Sequence, residues 1–277
     1  MKDLLRTYPN LSRLILGAIL IAVALISSGF IHLPFVPAGL LLVVLVTWLM
    51  FRTERKNLNA LGFNVQPKNL LLIPTGLILG IGLFFLSFYV GTFVVGGNIV
   101  HNTEVDRVEL LKRFWQVFPT AAVQDFIIVG YCYYKMIQLT NKRIATLVFG
   151  IFFITLHDVW YGNFANSLFY ALSLFIGYLM FSTALLRSGS IWLPIGIHWG
   201  NNFANSYLFT YGRTQTSWLY ITYKSQLQSL SVGQAIELFI SGNIGTAVVI
   251  VVILFAWRSK SRLQIPLPVI AKKEAIP

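Results

Sequence analysis

A carboxylate, two imidazoles and several carboxamides stand inside runs of apolar residues, where each must have a reason to be. Gln124 and Asp125 share one run, His157 and Asp158 close a second, and His198, Asn201, Asn202 and Asn205 lie in a third. A carboxylate or imidazole can take a proton from water, and an amide N–H can steady the oxyanion formed when a carbonyl is attacked. An acid with two imidazoles can also ligate a metal ion such as zinc. Spacing narrows these options. His198 and Asn202 are four residues apart, so on a helix they share one face, and Asn205 extends that stripe. Phe153 and His157 repeat the relation. Gln124 and Asp125 point about 100° apart on a helix, so one of them faces a shared centre. The plainer alternative is that the amides bond across helices and the histidines pack.

These residues need a scaffold, and the composition says which kind. The chain has 277 residues, of which 56% are hydrophobic and 11% charged, with a mean hydropathy of +0.72. A soluble domain carries about 25% charged residues, so this surface must be covered largely by lipid. An Asp at a helix centre in the bilayer costs about 2.5–3.5 kcal/mol, which directs Asp125 toward a protein interior or cavity. The net charge of +12 belongs to loops facing anionic lipid, and no basic soluble module exists to bind nucleic acid. The single cysteine, Cys132, excludes an intramolecular disulfide and a multi-cysteine zinc site.

Eight apolar segments predict an all-α polytopic membrane protein with about eight transmembrane helices, at residues 11–30, 36–51, 70–90, 119–138, 144–160, 167–186, 190–210 and 242–257. The first reads as a retained anchor rather than a cleaved signal. Segment 101–118 is charged and amphipathic, predicting an interfacial helix leading into the fourth span. Residues 211–241 form the longest polar connection, and 258–277 a basic cytoplasmic tail. With both termini cytoplasmic, sixteen Lys and Arg fall inside; five, Arg107, Lys112, Arg113, Arg213 and Lys224, fall outside. No internal repeat is visible, which weighs against a transporter of duplicated halves. The whole chain, 1–277, reads as one membrane domain, and its short loops fit a bacterial plasma membrane.

The run from Arg187 to Asn202, Arg-Ser-Gly-Ser-Ile-Trp-Leu-Pro-Ile-Gly-Ile-His-Trp-Gly-Asn-Asn, resembles the third motif of the CAAX prenyl protease 2 family. This family, also called CPBP or Abi, comprises intramembrane endopeptidases and bacteriocin-immunity proteins. Phe153-Ile-Thr-Leu-His157 matches the second motif, F-x-x-x-H. The first, E-E-x-x-x-R-G, aligns with Gln124-Asp125-Phe-Ile-Ile-Val129-Gly130. The resemblance covers residues 115–210. It implies that an acid and the histidines activate water, with Asn202 and a histidine stabilising the oxyanion. His157, His198 and Asn202 carry over directly, and Asp125 one position along from the expected acid. Gln124 replaces the glutamate base, and Val129 replaces the arginine that pairs with an acid.

Three expectations follow for Asp125, His157, His198 and Asn202. They form a peptidase site for a membrane-associated peptide or precursor. Alternatively, Asp125, His157 and His198 bind a divalent metal such as zinc. In the third, the chemistry is lost and the protein serves in immunity, regulation or scaffolding beside a membrane partner.

Overall fold

The computed structural model describes residues 9–31, 37–160, 164–222, 232–258, 263 and 265. Helices dominate: α1 (Pro9–Ser28), α2 (Ala38–Arg52), α3 (Leu72–Val94, entered by the turn Pro67–Leu70), α4 (Arg107–Ile128), α5 (Tyr131–Leu139), α6 (Lys142–Thr155), α7 (Phe164–Ser188), α8 (Trp192–Phe203) and α9 (Val232–Ala256). Helix occupies part of each of the eight apolar segments, but the fifth leaves it after Thr155 and the seventh ends in a strand at Phe209–Thr210. Among the described residues four helical stretches are long and apolar enough to cross a membrane: Pro9–Ser28, Pro67–Val94, Phe164–Ser188 and Ala235–Ala256. The protein is a multi-pass integral membrane protein. Its outer faces carry Ile15, Ile19, Ile26, Leu45, Ile78, Phe93, Ile151 and Phe255, all exposed, as lipid contact requires.

The segment 119–138 is not one helix. It breaks at Val129–Gly130 into α4 and α5, because the Gly130 backbone leaves helical geometry (φ −84, ψ −138) and a Cβ there would fall on the Phe126 carbonyl oxygen. The amphipathic stretch also starts later than its composition suggests. Residues 98–101 form a strand, and the helix begins at Arg107, where the Asp106 carboxylate accepts from the Val108 and Glu109 N–H groups. It then runs without interruption to Ile128. The polar connection after α8 is partly ordered as well. Strand β1 (Asn98–His101) pairs antiparallel with β3 (Leu219–Thr222), and β2 (Phe209–Thr210) pairs parallel with β3. Asn102 donates to the Thr214 and Ser217 carbonyls, fastening this sheet to the entrance of α4. The basic tail lies almost wholly outside the described residues.

Helices α3 and α8 meet at backbone distance. Gly76 and Gly80 on α3 face Gly196 and Gly200 on α8, so two G-x-x-x-G runs oppose each other. A Cβ on Gly76 would sit 2.6 Å from the Leu193 carbonyl oxygen, and one on Gly196 2.5 Å from that of Ile73. The start of α8 is held from its other side. Ile191 N–H donates to Leu61 at 2.8 Å, Ser190 Oγ donates to Gly62 O at 3.0 Å, and Trp192 Nε1 donates to Asn64 O at 3.0 Å.

A second fastening joins α1, the end of α2 and α5. The Lys135 ammonium, 1% exposed, donates to Glu54 Oε2 at 2.6 Å, Gln138 Oε1 at 2.7 Å and Asn10 Oδ1 at 3.1 Å. Tyr131 Oη donates to the other Glu54 oxygen at 2.8 Å. Burial pushes the Glu54 carboxyl up, but the Lys135 and Tyr131 hydrogen bonds and the nearby Lys56 outweigh it and hold the group below its ordinary value of 4.5.

Two outcomes test this architecture. Gly80→Val drives a side chain into the Ile197 carbonyl, and thermal melts in detergent should show a loss of about 1–3 kcal/mol. Glu54→Gln leaves Lys135 buried without its anion and should cost about 3–5 kcal/mol at neutral pH. Because the Glu54 pKa is depressed in the fold, its contribution is complete above 4.5 and fades as pH falls through the folded value. Melts at falling pH should therefore show the gap between wild type and Glu54→Gln closing below about pH 4.5.

Candidate active site

Asp125 and His198 are brought together at the centre of the bundle. Asp125 lies on the inward face of α4, 0% exposed, and His198 on α8 is 3% exposed. Their nearest atoms, Oδ1 and Nδ1, are 3.5 Å apart, too far for a good N–H···O hydrogen bond. Both Asp125 oxygens and His198 Nδ1 are buried with no hydrogen-bond partner among the described residues. One face of the imidazole stacks on Phe181 at 4.6 Å between centroids, which fixes the ring. Trp199, next along α8, donates from Nε1 to the Phe114 carbonyl at 2.7 Å and packs on Phe114 and Phe118, holding α8 to α4.

The other expected residues divide. Asn202 lies one turn beyond His198, half-buried; its carbonyl accepts from Asn201 Nδ2 at 3.3 Å, while its own NH2 has no partner among the described residues. That NH2 can donate to an oxyanion. His157 does not join the pair. It lies just past the end of α6, and its Nδ1 is 2.9 Å from the Phe153 carbonyl oxygen. The His157 ring meets Phe153 at 4.6 Å between centroids, Phe153 meets Phe181 at 6.1 Å, and Phe181 meets His198 at 4.6 Å, so both imidazoles border one aromatic cluster. Asp158 and Asn205 are exposed, and Asp158 accepts from Trp160 N–H in a local turn.

Gln124 faces elsewhere. It lines a cavity of ≈ 540 Å³ between α4 and the facing ends of α1 and α2, together with Gln116, Pro119, Thr120, Ser28 and Leu40. Val129 is fully buried in the apolar core and takes no part in any ionic contact. Adjacent residues on α4 thus serve different spaces, Asp125 the interior and Gln124 the groove.

The three-ligand metal set expected from the sequence is not assembled. Asp125 and His198 converge, whereas His157 Nδ1 is already engaged by the Phe153 carbonyl. Among the described residues no group of three or more His, Cys, Asp or Glu side chains is placed to hold a metal ion. The donors that converge among the described residues, one carboxylate and one imidazole, fall short of the three protein ligands of a catalytic zinc centre.

What the motifs alone do not reveal is how the pair is positioned. Phe181 on α7 has no polar signature, and its stacking on His198 depends on tertiary contact. The facing glycines were visible as G-x-x-x-G spacing on α3 and α8, a readable signal for close helix approach.

Residues 107–204 match the family model for the Type II CAAX prenyl endopeptidase Rce1-like family, from the first residue of α4 to the end of α8. The match includes Asp125, His157, His198 and Asn202 and bears out the resemblance carried by the motifs. It leaves α1, α2, α3 and α9 outside. The chain matches no curated protein sequence.

Buried groups without partners are costly, so relieving them should stabilise the fold. Asp125→Asn puts an N–H donor beside His198 and removes a carboxyl from the apolar centre. The variant should melt higher in detergent by about 1–3 kcal/mol, the usual cost of an unsatisfied buried polar group. An unchanged or lower melting temperature would mean that Asp125 is already satisfied.

Proposed function

We propose that this protein is an intramembrane endopeptidase of the CAAX-protease type that hydrolyses a peptide bond in a membrane-associated peptide or precursor. One observation carries the reading: Asp125 and His198 face each other in the centre of the bundle with three buried polar atoms unpartnered. Packing alone gives no reason to keep such atoms in a membrane interior, whereas a water and a peptide carbonyl would satisfy them. The family match to residues 107–204 supports the reaction class.

In this reading the Asp125 carboxylate takes a proton from a water as its oxygen bonds to the peptide carbonyl carbon. The carbonyl oxygen becomes an oxyanion, accepting from the Asn202 NH2 and from His198. The intermediate then collapses, the C–N bond breaks, and the departing amine takes the proton back from Asp125. Water is added across the bond, leaving a new carboxyl and a new amino terminus. Asp125 thereby replaces the glutamate that Gln124 cannot supply.

A second reading has its own support. His157 Nδ1 is engaged by the Phe153 carbonyl, no three acidic or imidazole groups gather among the described residues, and Gln124 opens on a different cavity. A family member without chemistry, acting in immunity, regulation or scaffolding, would show this arrangement. In both readings the chain crosses the bilayer eight times with its termini in the cytoplasm, as the sixteen-to-five distribution of Lys and Arg favours. The short loops suit a bacterial plasma membrane. Helices α2, α6 and α8, of 15, 14 and 12 residues, cross with the help of flanking turns and neighbours.

The readings separate in one experiment. Peptides released from membranes of cells carrying wild type, Asp125→Asn, His198→Ala or Asn202→Ala are compared by mass spectrometry. Catalysis predicts products that fall by about 10²–10⁴-fold in Asp125→Asn and His198→Ala, and by about 10²–10³-fold in Asn202→Ala. Gln124→Ala should keep them. A cellular phenotype that survives all three site variants, with no product lost, leaves the non-catalytic role.

A further inference from the structure

Away from the Asp125–His198 pair, the turn that follows α2 builds a cationic cleft. Arg52, Arg55 and Lys56 line a space of ≈ 430 Å³ together with Asn57, Asn59 and Tyr134. The nearest carboxylate, Glu54, is already engaged by Lys135 and by Tyr131. Lys56 lies 3.3 Å from the same carboxylate and donates to Tyr134 Oη at 3.2 Å, over whose ring it sits at 5.0 Å. Arg52 and Arg55 are exposed and have no carboxylate partner among the described residues. Three cations therefore share a concavity that no carboxylate lines among the described residues, and the neighbouring Glu54 is already engaged.

The backbone sharpens the point. Lys56 N–H returns to Phe51 O and Arg55 N–H to Arg52 O, a helix-ending Schellman turn whose left-handed position is Arg55, at φ 57. Glycine fills that position without strain, yet here it carries a guanidinium aimed at the cleft rim. The cleft also lies at a defined level. Leu41, Leu45, Trp48 and Leu49 give α2 an exposed apolar face, and Arg52 follows at its end with its guanidinium 5.7 Å over the Trp48 ring. An apolar face ending in a Trp and then Arg marks the transition from acyl chains to headgroups.

We propose that Arg52, Arg55 and Lys56 form a binding site for a phosphate group, and specifically for the headgroup of an anionic phospholipid whose acyl chains lie along α2. The guanidiniums receive the phosphate oxygens, Lys56 adds a point charge, and the Asn59 side chain is within the same lining to meet a polar headgroup. The site is separate from the hydrolytic pair, and its test does not depend on any peptidase activity.

The test uses the full-length protein purified in detergent, with phosphatidylglycerol and phosphatidylcholine offered in mixed micelles and binding counted by native mass spectrometry. Wild type should retain phosphatidylglycerol in clear preference. Arg55→Gly deletes a charge while relaxing the turn, so the fold is kept, and it should weaken phosphatidylglycerol binding about fivefold. Arg52→Gln should do the same, each without changing phosphatidylcholine binding. Glycerol 3-phosphate serves as a soluble competitor. Failure to displace the lipid assigns the site to the bilayer, while displacement at equal concentration assigns the same cleft to a free phosphate ester. Equal binding of the two lipids, or unchanged preference in the Arg52→Gln/Arg55→Gly variant, overturns the proposal.

Discussion

Helices α3 and α8 touch through glycine, and the placement of His198 follows from that contact. With 12 residues, α8 rises only about 18 Å, too little to cross the hydrocarbon core as a free span. It is instead enclosed, buried from Leu193 to Gly200. Enclosure at that density needs backbones that approach without side chains between them, which Gly76, Gly80, Gly196 and Gly200 supply. With that face occupied, the rest of α8 points His198 to α4 and α7, where Asp125 and Phe181 wait. A wider α3–α8 spacing would shift the imidazole relative to the acid by the same displacement.

The acid is set from the opposite direction. Asp125 is in the last turn of α4, and the chain breaks immediately after it at Val129–Gly130 before α5 resumes. Helix α5 is then tied to α1 and to the end of α2 through Tyr131, Lys135 and Glu54. That ionic knot is buried, so its energy is sensitive to completeness: Lys135 has three oxygen acceptors and Glu54 three donors. One membrane protein thus contains two kinds of buried polar cluster. The Glu54 cluster is saturated and reads as structure. The Asp125 cluster is unsaturated and reads as a place for something else to bind.

Much of this was legible beforehand. Long apolar segments in lipid favour helices, since the backbone finds its partners within the segment, and helices do occupy most of the apolar runs, four of them long enough to span among the described residues. The fixed 100° step between neighbours separated Asp125 from Gln124 correctly, because local geometry is insensitive to tertiary surroundings. The i,i+4 spacing also put Asn202 beside His198. Less accessible were features set by contacts distant in sequence. The break at Gly130 looks like an ordinary apolar residue run, since one glycine costs little in a hydropathy average. The sheet joining residues 98–101 to 219–222 pairs segments over a hundred residues apart. The position of His157 is the instructive miss. Phe153 and His157 stand four apart as a motif requires, but the helix ends at Thr155, so the histidine is on a turn whose direction no periodicity fixes.

That difference bears on the chemistry itself. A water held by Asp125 and His198 alone needs one base and one imidazole, and both are present. The second imidazole that the resemblance implies, His157, meets the Phe153 carbonyl through Nδ1 instead. Gln124 is different in kind. Its amide cannot accept a proton in any rotamer, and its position on the groove between α1, α2 and α4 is fixed by the same helical step that turns Asp125 inward. No rotation of a side chain can therefore restore a base at position 124. In the proposed hydrolysis the base at this turn of α4 is therefore Asp125, the one carboxylate that the pair Gln124-Asp125 offers.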